Sequence, residues 1–477
     1  MRGMKTLRMM DIVQLNMKRT LWIYALLLVL AACVPSNPIR IVITPTPEVT
    51  GTTMASSSEA TAPTSTAIIT SERLSPTPRV GEVNAAGPVI DESYQLPPTN
   101  TPKPLPTMEP QPSPSPDLQL PVEVTPWFDV PYLNGQEMGV QMYWNVTIDE
   151  WWQWMQRLKP LNVSWVKMQI NWGFVEPVPG DFNNETFRLM ELHIERAKSE
   201  GFKTLLSIAK APGWARNTDQ REDGPPDDPQ AYANFIRVLL NEMGESIDAI
   251  EIWNEPNLAR EWRGTLEFSG VGYMRLFAPA YEVIRAYSSE IAIITAGLAP
   301  TGIVPGETIS DREYLQQMYD AGLGEYSDVY IGSHPFGWSN PPDALCCDLS
   351  PEQGFDDQPQ FFFLNNLNDT RSIMERNGHG DRQIWVTEFG WPSWEGLPDP
   401  APYEWMQANT ALEQAEFAVR AFQIGQERPD VGPMILWNIN FANDTLIENR
   451  VELAAYSLFI PDIPIRPLYH ILAQRPQ

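Results

Sequence analysis

Two short segments carry the residues best suited to chemistry. Ile250-Glu251-Ile252-Trp253-Asn254-Glu255-Pro256-Asn257 reads as an apolar strand that ends in a carboxylate and is stopped by a proline. Ile384-Trp385-Val386-Thr387-Glu388-Phe389-Gly390-Trp391-Pro392 repeats the design: an apolar run, a terminal Glu, then loop residues. Two strand-end carboxyls that face one cleft suit acid–base and nucleophilic work. Where their surroundings differ, one is kept protonated while the other stays ionised. Cleavage of a glycosidic bond asks for such a pair, because a poor leaving group must be protonated while an oxocarbenium-like centre is stabilised. Asn254, next to Glu255, is placed to hydrogen-bond the sugar hydroxyl beside the reacting carbon.

Strands whose carboxyl ends share one face are the mark of a parallel barrel. Beyond Pro126 short apolar or β-branched runs alternate with longer helix-like stretches. Strands are expected at 139–143, 163–170, 203–209, 249–253, 291–296, 329–333, 384–387 and 434–437. Phe187, Met190, Ile194 and Ala197 fall on one helical face, as do Leu412, Ala415, Val419 and Phe422. Eight strands interleaved with helices predict an α/β fold, a (β/α)₈ TIM barrel over residues 127–477, with the two Glu ending strands four and seven. A doubly wound open sheet is the runner-up, but no glycine-rich phosphate loop follows the first strand.

The Trp-Asn-Glu-Pro run ending in Glu255-Pro256 and the later Thr-Glu-Phe-Gly-Trp run resemble those of clan A glycoside hydrolases, the retaining (β/α)₈ group that includes many cellulases, β-mannanases and β-xylosidases. The likeness spans most of Gly139 to Asn440. It implies retaining hydrolysis of β-linked glycans without metal or organic cofactor, with Glu255 as acid/base and Glu388 as nucleophile. Trp172 to Gly180 resembles the family's loop after strand two, and Ala211-Pro212-Gly213-Trp214-Ala215 its loop after strand three. Trp437 stands where the family often has a Trp under the bound sugar. With Asn254, His334, Trp172, Trp214 and Trp391 it completes the expected substrate-binding set. Two departures stand out. Lys167 occupies the region where many members carry an Arg supporting the nucleophile. Phe336, in Ser333-His334-Pro335-Phe336, replaces a Tyr whose hydroxyl bonds it, leaving His334 as the candidate to take over that bond or as a core histidine. These departures keep a second expectation open, a catalytically inactive carbohydrate-binding surface lipoprotein.

Other residues read as structural. Glu251 faces the same side as Glu255 but lies deeper, where a buried carboxylate needs a partner such as Lys167. Glu176 sits in a Glu-Pro context that is mainly structural in the family. Trp144, Trp338 and Trp394 follow expected strands near the active face, whereas Trp151, Trp152 and Trp154 pack on the first helix. His193 and His379 read as surface residues and His470 as part of a final helix. Cys346-Cys347 is either a vicinal disulfide or two thiols.

The 477 residues include 33 Lys+Arg against 60 Asp+Glu, a formal net charge of −27. Such a surface repels nucleic acid and anionic lipid. Three Cys draw no disulfide framework, and four His show no metal-ligand spacing. Seventeen Trp fit both core packing and flat stacking surfaces for sugars. At the amino end Lys18 and Arg19 precede the apolar run Leu21 to Leu30, which is short of the about 20 residues that span a bilayer. Leu30-Ala31-Ala32-Cys33 resembles a bacterial lipobox, which implies residues 1–33 as a signal peptide and lipidation at Cys33; an ordinary signal peptide is the alternative. Residues 34–126 are rich in Pro, Thr and Ser and are expected to form a disordered linker. The whole reads as an exported, lipid-anchored, monomeric protein at the cell membrane or surface, acting on a poly- or oligosaccharide.

Overall fold

The computed structural model describes residues 121–217, 223–347 and 357–476. The signal peptide, Cys33 and nearly all of the Pro/Thr/Ser-rich stretch lie outside the described residues.

The strands are β1 (Met138–Met142), β2 (Trp165–Asn171), β3 (Lys203–Ala209), β4 (Ala249–Ile252), β5 (Ala292–Thr295), β6 (Val329–Ser333), β7 (Ile384–Phe389) and β8 (Val431–Leu436). They pair in sequence order, and β8 closes parallel onto β1. A helix follows each: α1 (Ile148–Leu158), α2 (Glu185–Ser199), α3 (Pro229–Met243), α4 (Gly270–Tyr287), α5 (Asp311–Asp320), α6 (Phe363–Arg376), α7 (Ala411–Gln426) and α8 (Pro467–Gln474). This is the expected (β/α)₈ barrel. Among the described residues no helix is long and apolar enough to cross a membrane.

Local sequence explains where helices start. Thr147 and Glu150 cap α1 reciprocally, side chain to backbone in both directions, and Thr410 with Glu413 does the same for α7. Pro467 opens α8 at a position whose N–H would be unpaired in any case. The face of α2 is as expected: Phe187, Met190, Ile194 and Ala197 are all buried. Fully burying a side chain the size of the first three stabilises by roughly 1.5–3 kcal/mol each. On α7 the expectation fails at Leu412, which is 47% exposed. The buried face there is centred on Ala411, Ala415, Ala418 and Phe422, and Leu412 lies to its side.

Near the amino ends of the strands the barrel is plugged by Trp165, Leu205, Ala249, Ile294, Trp385 and Ile435. Trp165 and Trp385 meet edge to face with ring centroids 5.0 Å apart. One inward position further along their strands stand Lys167, Glu251 and Thr387, so the interior turns from apolar to polar toward the carboxyl ends.

Two histidines expected at the surface are enclosed. His193 stacks on Trp151 at 4.8 Å, and His379 shares a hydrogen bond with the Tyr319 hydroxyl at 3.2 Å. Aromatic neighbours distant in sequence cover both. Cys346 and Cys347 are joined as a vicinal disulfide in the loop after β6. The chain reaches the barrel along α8, where Val122 N–H donates to His470 Nδ1 and Val124 N–H to Gln474 Oε1, each at 3.1 Å.

Candidate active site

Past Ile252 the chain leaves β4 through a turn in which Trp253 (φ 75°) and Glu255 (φ 43°) are left-handed. Each such non-glycine residue costs about 1–3 kcal/mol and persists only where the surroundings hold it. Trp253 is fully buried against Tyr232 and Trp262, with its indole N–H on the Glu261 carbonyl at 3.1 Å. Glu255 N–H bonds the Gly297 carbonyl at 3.1 Å, and the Glu255 carbonyl accepts from Leu258 at 3.0 Å. So anchored, the turn presents the Glu255 carboxyl at the mouth, its side chain 14% exposed.

β7 reaches the same mouth by another device. Trp385 and Thr387 point inward, so strict alternation would turn Glu388 away from the interior. The register against β8 shifts between Val386 and Phe389, and this irregularity re-aims Glu388 inward.

The two carboxyls meet a buried ionic cluster. Lys167 Nζ, on β2, lies 2.9 Å from Glu251 Oε2 and 2.9 Å from Glu388 Oε1, and also donates to the Thr387 carbonyl at 3.1 Å. The other Glu251 oxygen accepts from Gly297 N–H at 3.0 Å and from the Thr387 hydroxyl at 2.6 Å. Lys167 thus contacts both the carboxylate foreseen as its partner and Glu388 itself, so the missing Arg has a cationic replacement. His334, following β6, is fully buried. Its Nδ1 is 3.1 Å from Glu255 and 3.8 Å from Glu388, and its Nε2 is 3.6 Å from Glu251. The hydrogen bond it was expected to give Glu388 goes to Glu255. Gly297 makes this approach possible, since a Cβ there would collide with the His334 ring and lie 2.6 Å from Thr387 Oγ1.

Burial disfavours every charge here, yet the opposite charges prevail. Burial alone would lower His334, but the Glu388 charge and hydrogen bonds to Glu251 and Glu255 raise it to about 9. Lys167 is held above its ordinary value by Glu251 and Glu388 despite burial. Against the same burial, Lys167 and His334 hold Glu251 well below the carboxylate range. Glu255 is also lowered, burial being outweighed by the hydrogen bond and charge of His334 and then by Arg260 and Lys167. At neutral pH two buried cations therefore sit among three carboxyls.

Glu255, His334 and Glu388 offer ligand atoms within 4.8 Å of one another, a spacing that one metal ion could bridge. The donor set opposes that use. Lys167 Nζ already holds Glu388 at 2.9 Å and His334 Nδ1 already faces Glu255 at 3.1 Å, so these groups are paired with one another.

Asn254 is 6% exposed, and its Oδ1 has no hydrogen-bond partner among the described residues. Trp437, just past β8, is half-buried in a cluster with Phe336, Phe441 and Tyr456. Trp172 and Trp391 are 0% and 1% exposed, with indole N–H groups on Glu176 and the Asn340 carbonyl. Neither offers a face to a sugar. Trp214 is half-buried, bonds the Glu176 carbonyl at 2.9 Å and packs edge-on against Trp172. Glu176, as expected, ties its own loop by accepting from Trp172 and Gly180. Sequence reasoning missed Arg260, whose Nη2 lies 3.7 Å from Glu255. It also missed Glu452, whose carboxyl is raised by burial and by Glu255 against the pull of Arg260. Both come from loops, after β4 and β8, and only the position of Arg260 five residues beyond Glu255 hinted at either.

In fold the chain is similar to a family 39 glycoside hydrolase from the gut symbiont Bacteroides cellulosilyticus WH2, with a TM-score of 0.53 and 19% identity over 71% of this chain and 62% of that one. It is likewise similar to a GH5_18 protein from Bifidobacterium longum subsp. infantis, with a TM-score of 0.53 and 12% identity over 71% of this chain and 78% of that one. This chain thus spans less than two thirds of the first relative's length. At such identities the likeness establishes the barrel. No protein-family model matches the sequence, and no curated protein matches it.

Proposed function

We propose that this protein hydrolyses β-linked glycosides with retention of configuration, with Glu388 as nucleophile and Glu255 as acid/base. One observation carries the reading. Two carboxyls from β4 and β7 share one mouth with oxygens within 4.8 Å of each other. Inverting enzymes hold their carboxyl groups about 6.5–9.5 Å apart to admit a water, and retaining ones about 5–5.5 Å. In the first step a Glu388 oxygen attacks the anomeric carbon while the leaving oxygen departs with a proton. In the free protein that proton belongs to the His334–Glu255 pair, because the imidazolium holds it and Glu255 accepts its hydrogen bond. In the second step Glu255 takes a proton from water, which attacks the same carbon and releases Glu388. Asn254 and Trp437 contribute substrate contacts. The lipobox resemblance at Cys33 supports a place at the cell surface, and the substrate class is a β-linked glycan or glycoside.

The test is a panel of aryl β-glycosides and polysaccharides, followed by two variants of the full chain. Glu388→Ala should lose several orders of magnitude in turnover, with azide or formate restoring an inverted product. Glu255→Ala should still cleave dinitrophenyl glycosides, whose leaving group needs no proton, and azide should speed its second step with configuration retained. Exchanged rescue patterns, or inverted wild-type products, would overturn the assignment. Binding of glycans without turnover would favour the inactive carbohydrate-binding alternative.

A further inference from the structure

The mechanism leaves one fully buried carboxylate without a task. Glu251 lies below the mouth, out of reach of a substrate, yet it makes more hydrogen bonds than either proposed catalytic carboxylate. Its partners come from three other parts of the barrel: Lys167 from β2, Thr387 from β7 and Gly297 after β5. A buried Lys needs one carboxylate to stabilise its charge. Here it has two at the same 2.9 Å, and one of them is Glu388.

We propose that Glu251 is a positioning residue that divides the charge of Lys167, drawing part of it away from Glu388 so that Glu388 stays nucleophilic. The inference rests on the reading of Glu388 as nucleophile. With Glu388 as its sole partner, Lys167 would hold that carboxylate in a low-energy ion pair. Such a carboxylate attacks a sugar carbon poorly and leaves it readily. Glu251 competes for the same ammonium, and its own strength is moderated by the Thr387 hydroxyl and Gly297 N–H. The Thr387 backbone carbonyl steers Nζ between the two.

The other groups facing this cluster hold their charge states across the working range. His334 stands beside Glu251, Glu255 and Glu388 and remains an imidazolium to about 9. Glu255 is paired with that imidazolium and with Arg260. Tyr232 of α3 and Tyr273 of α4 sense the Glu251 charge, but burial holds both hydroxyls protonated, and they bond the Ile208 and Ile252 carbonyls.

The experiment is a ¹³C NMR titration of the full chain labelled at glutamate carboxyls, the Glu388 resonance being assigned by its loss in Glu388→Gln. In Glu251→Gln the Glu388 resonance should titrate at lower pH than in the wild type, as an unshared neighbouring cation favours the carboxylate. The acid limb of kcat/KM should move down with it, and deglycosylation should speed up relative to glycosylation. Thr387→Val leaves Lys167 and Glu388 intact but removes a donor from Glu251, which then claims more of the ammonium. Its Glu388 midpoint should rise, and this variant decides the matter if Glu251→Gln does not fold. A Glu388 midpoint unmoved in the folded variant would overturn the proposal and leave Glu251 a purely structural partner of Lys167. Because the titration needs no substrate, it judges charge division even if the wild type hydrolyses nothing, an outcome that would remove the proposed function separately.

Discussion

At the residue scale His334 links the proposed chemistry to stability. Its folded value of about 9 lies above the ordinary 6.5, so its ionised form favours the folded state. That contribution is complete below pH 6.5 and disappears as pH rises through about 9. Urea unfolding should therefore show stability falling between these limits, with a flatter profile in His334→Gln. On the proposed mechanism the same proton serves the leaving group, so the alkaline limb of kcat/KM should lie near 9 in the wild type. In His334→Gln that limb should move to lower pH, because Glu255 must then hold the proton alone. An alkaline limb unchanged by the substitution would assign the acid to another group. The departures from the clan A pattern look different once these contacts are known. Lys167 reaches Glu388 directly, and Phe336 packs on Trp437 and Tyr456 instead of bonding a carboxylate.

At the scale of elements, loops that follow neighbouring strands use tryptophan in two ways. Trp437 sits half-buried at the end of β8, whereas Trp172 is sealed between Phe235, Tyr232 and Trp214. Trp437→Ala should leave the fold in place and weaken substrate binding by about 1–2 kcal/mol, roughly 5–30-fold in KM. Trp172→Ala should cost about 3–5 kcal/mol of stability through the cavity it opens and leave KM unchanged in the folded fraction. Thermal melts and Michaelis plots of the two variants separate these outcomes, and matching KM effects would place Trp172 in the site. The register shift in β7 and the left-handed turn after β4 are the two elements that aim the carboxyls. The shift in β7 turns Glu388 to a side that strict alternation would not, and the turn after β4 carries Glu255 beyond the end of its strand.

For the whole molecule, the first described residues brace the last helix of the barrel. Val122 and Val124 bond His470 and Gln474 in the carboxyl-terminal part of α8. Limited proteolysis should trim the Pro/Thr/Ser-rich stretch while sparing the barrel and its turnover of soluble substrates. Cutting beyond Val124 should lower the melting temperature by removing those contacts. If Cys33 is the anchor, Cys33→Ser should release the protein from membranes or leave it uncleaved. Unchanged membrane partition and mature mass would sink the lipobox reading.

The sequence by itself determined the order and type of the strands, because each apolar run is short, bounded and followed by a helix with a legible start. It also singled out Glu255 and Glu388 as candidates, since each ends such a run, and it named Lys167 as the partner a buried Glu251 would need. Leu412, His193 and His379 were misread because burial depends on neighbours some tens of residues away, such as Trp151 and Tyr319, or on a helix rotated against its barrel. Trp172 and Trp391 were read as stacking surfaces for the same reason: an indole looks alike in sequence whether its faces meet solvent or other rings. Only the tertiary structure decided that Glu388 points inward, through a register shift that no local pattern encodes. It alone decided that one ammonium and one imidazolium lie among three carboxyls, because that cluster is assembled from β2, β4, β6 and β7 by closure of the barrel.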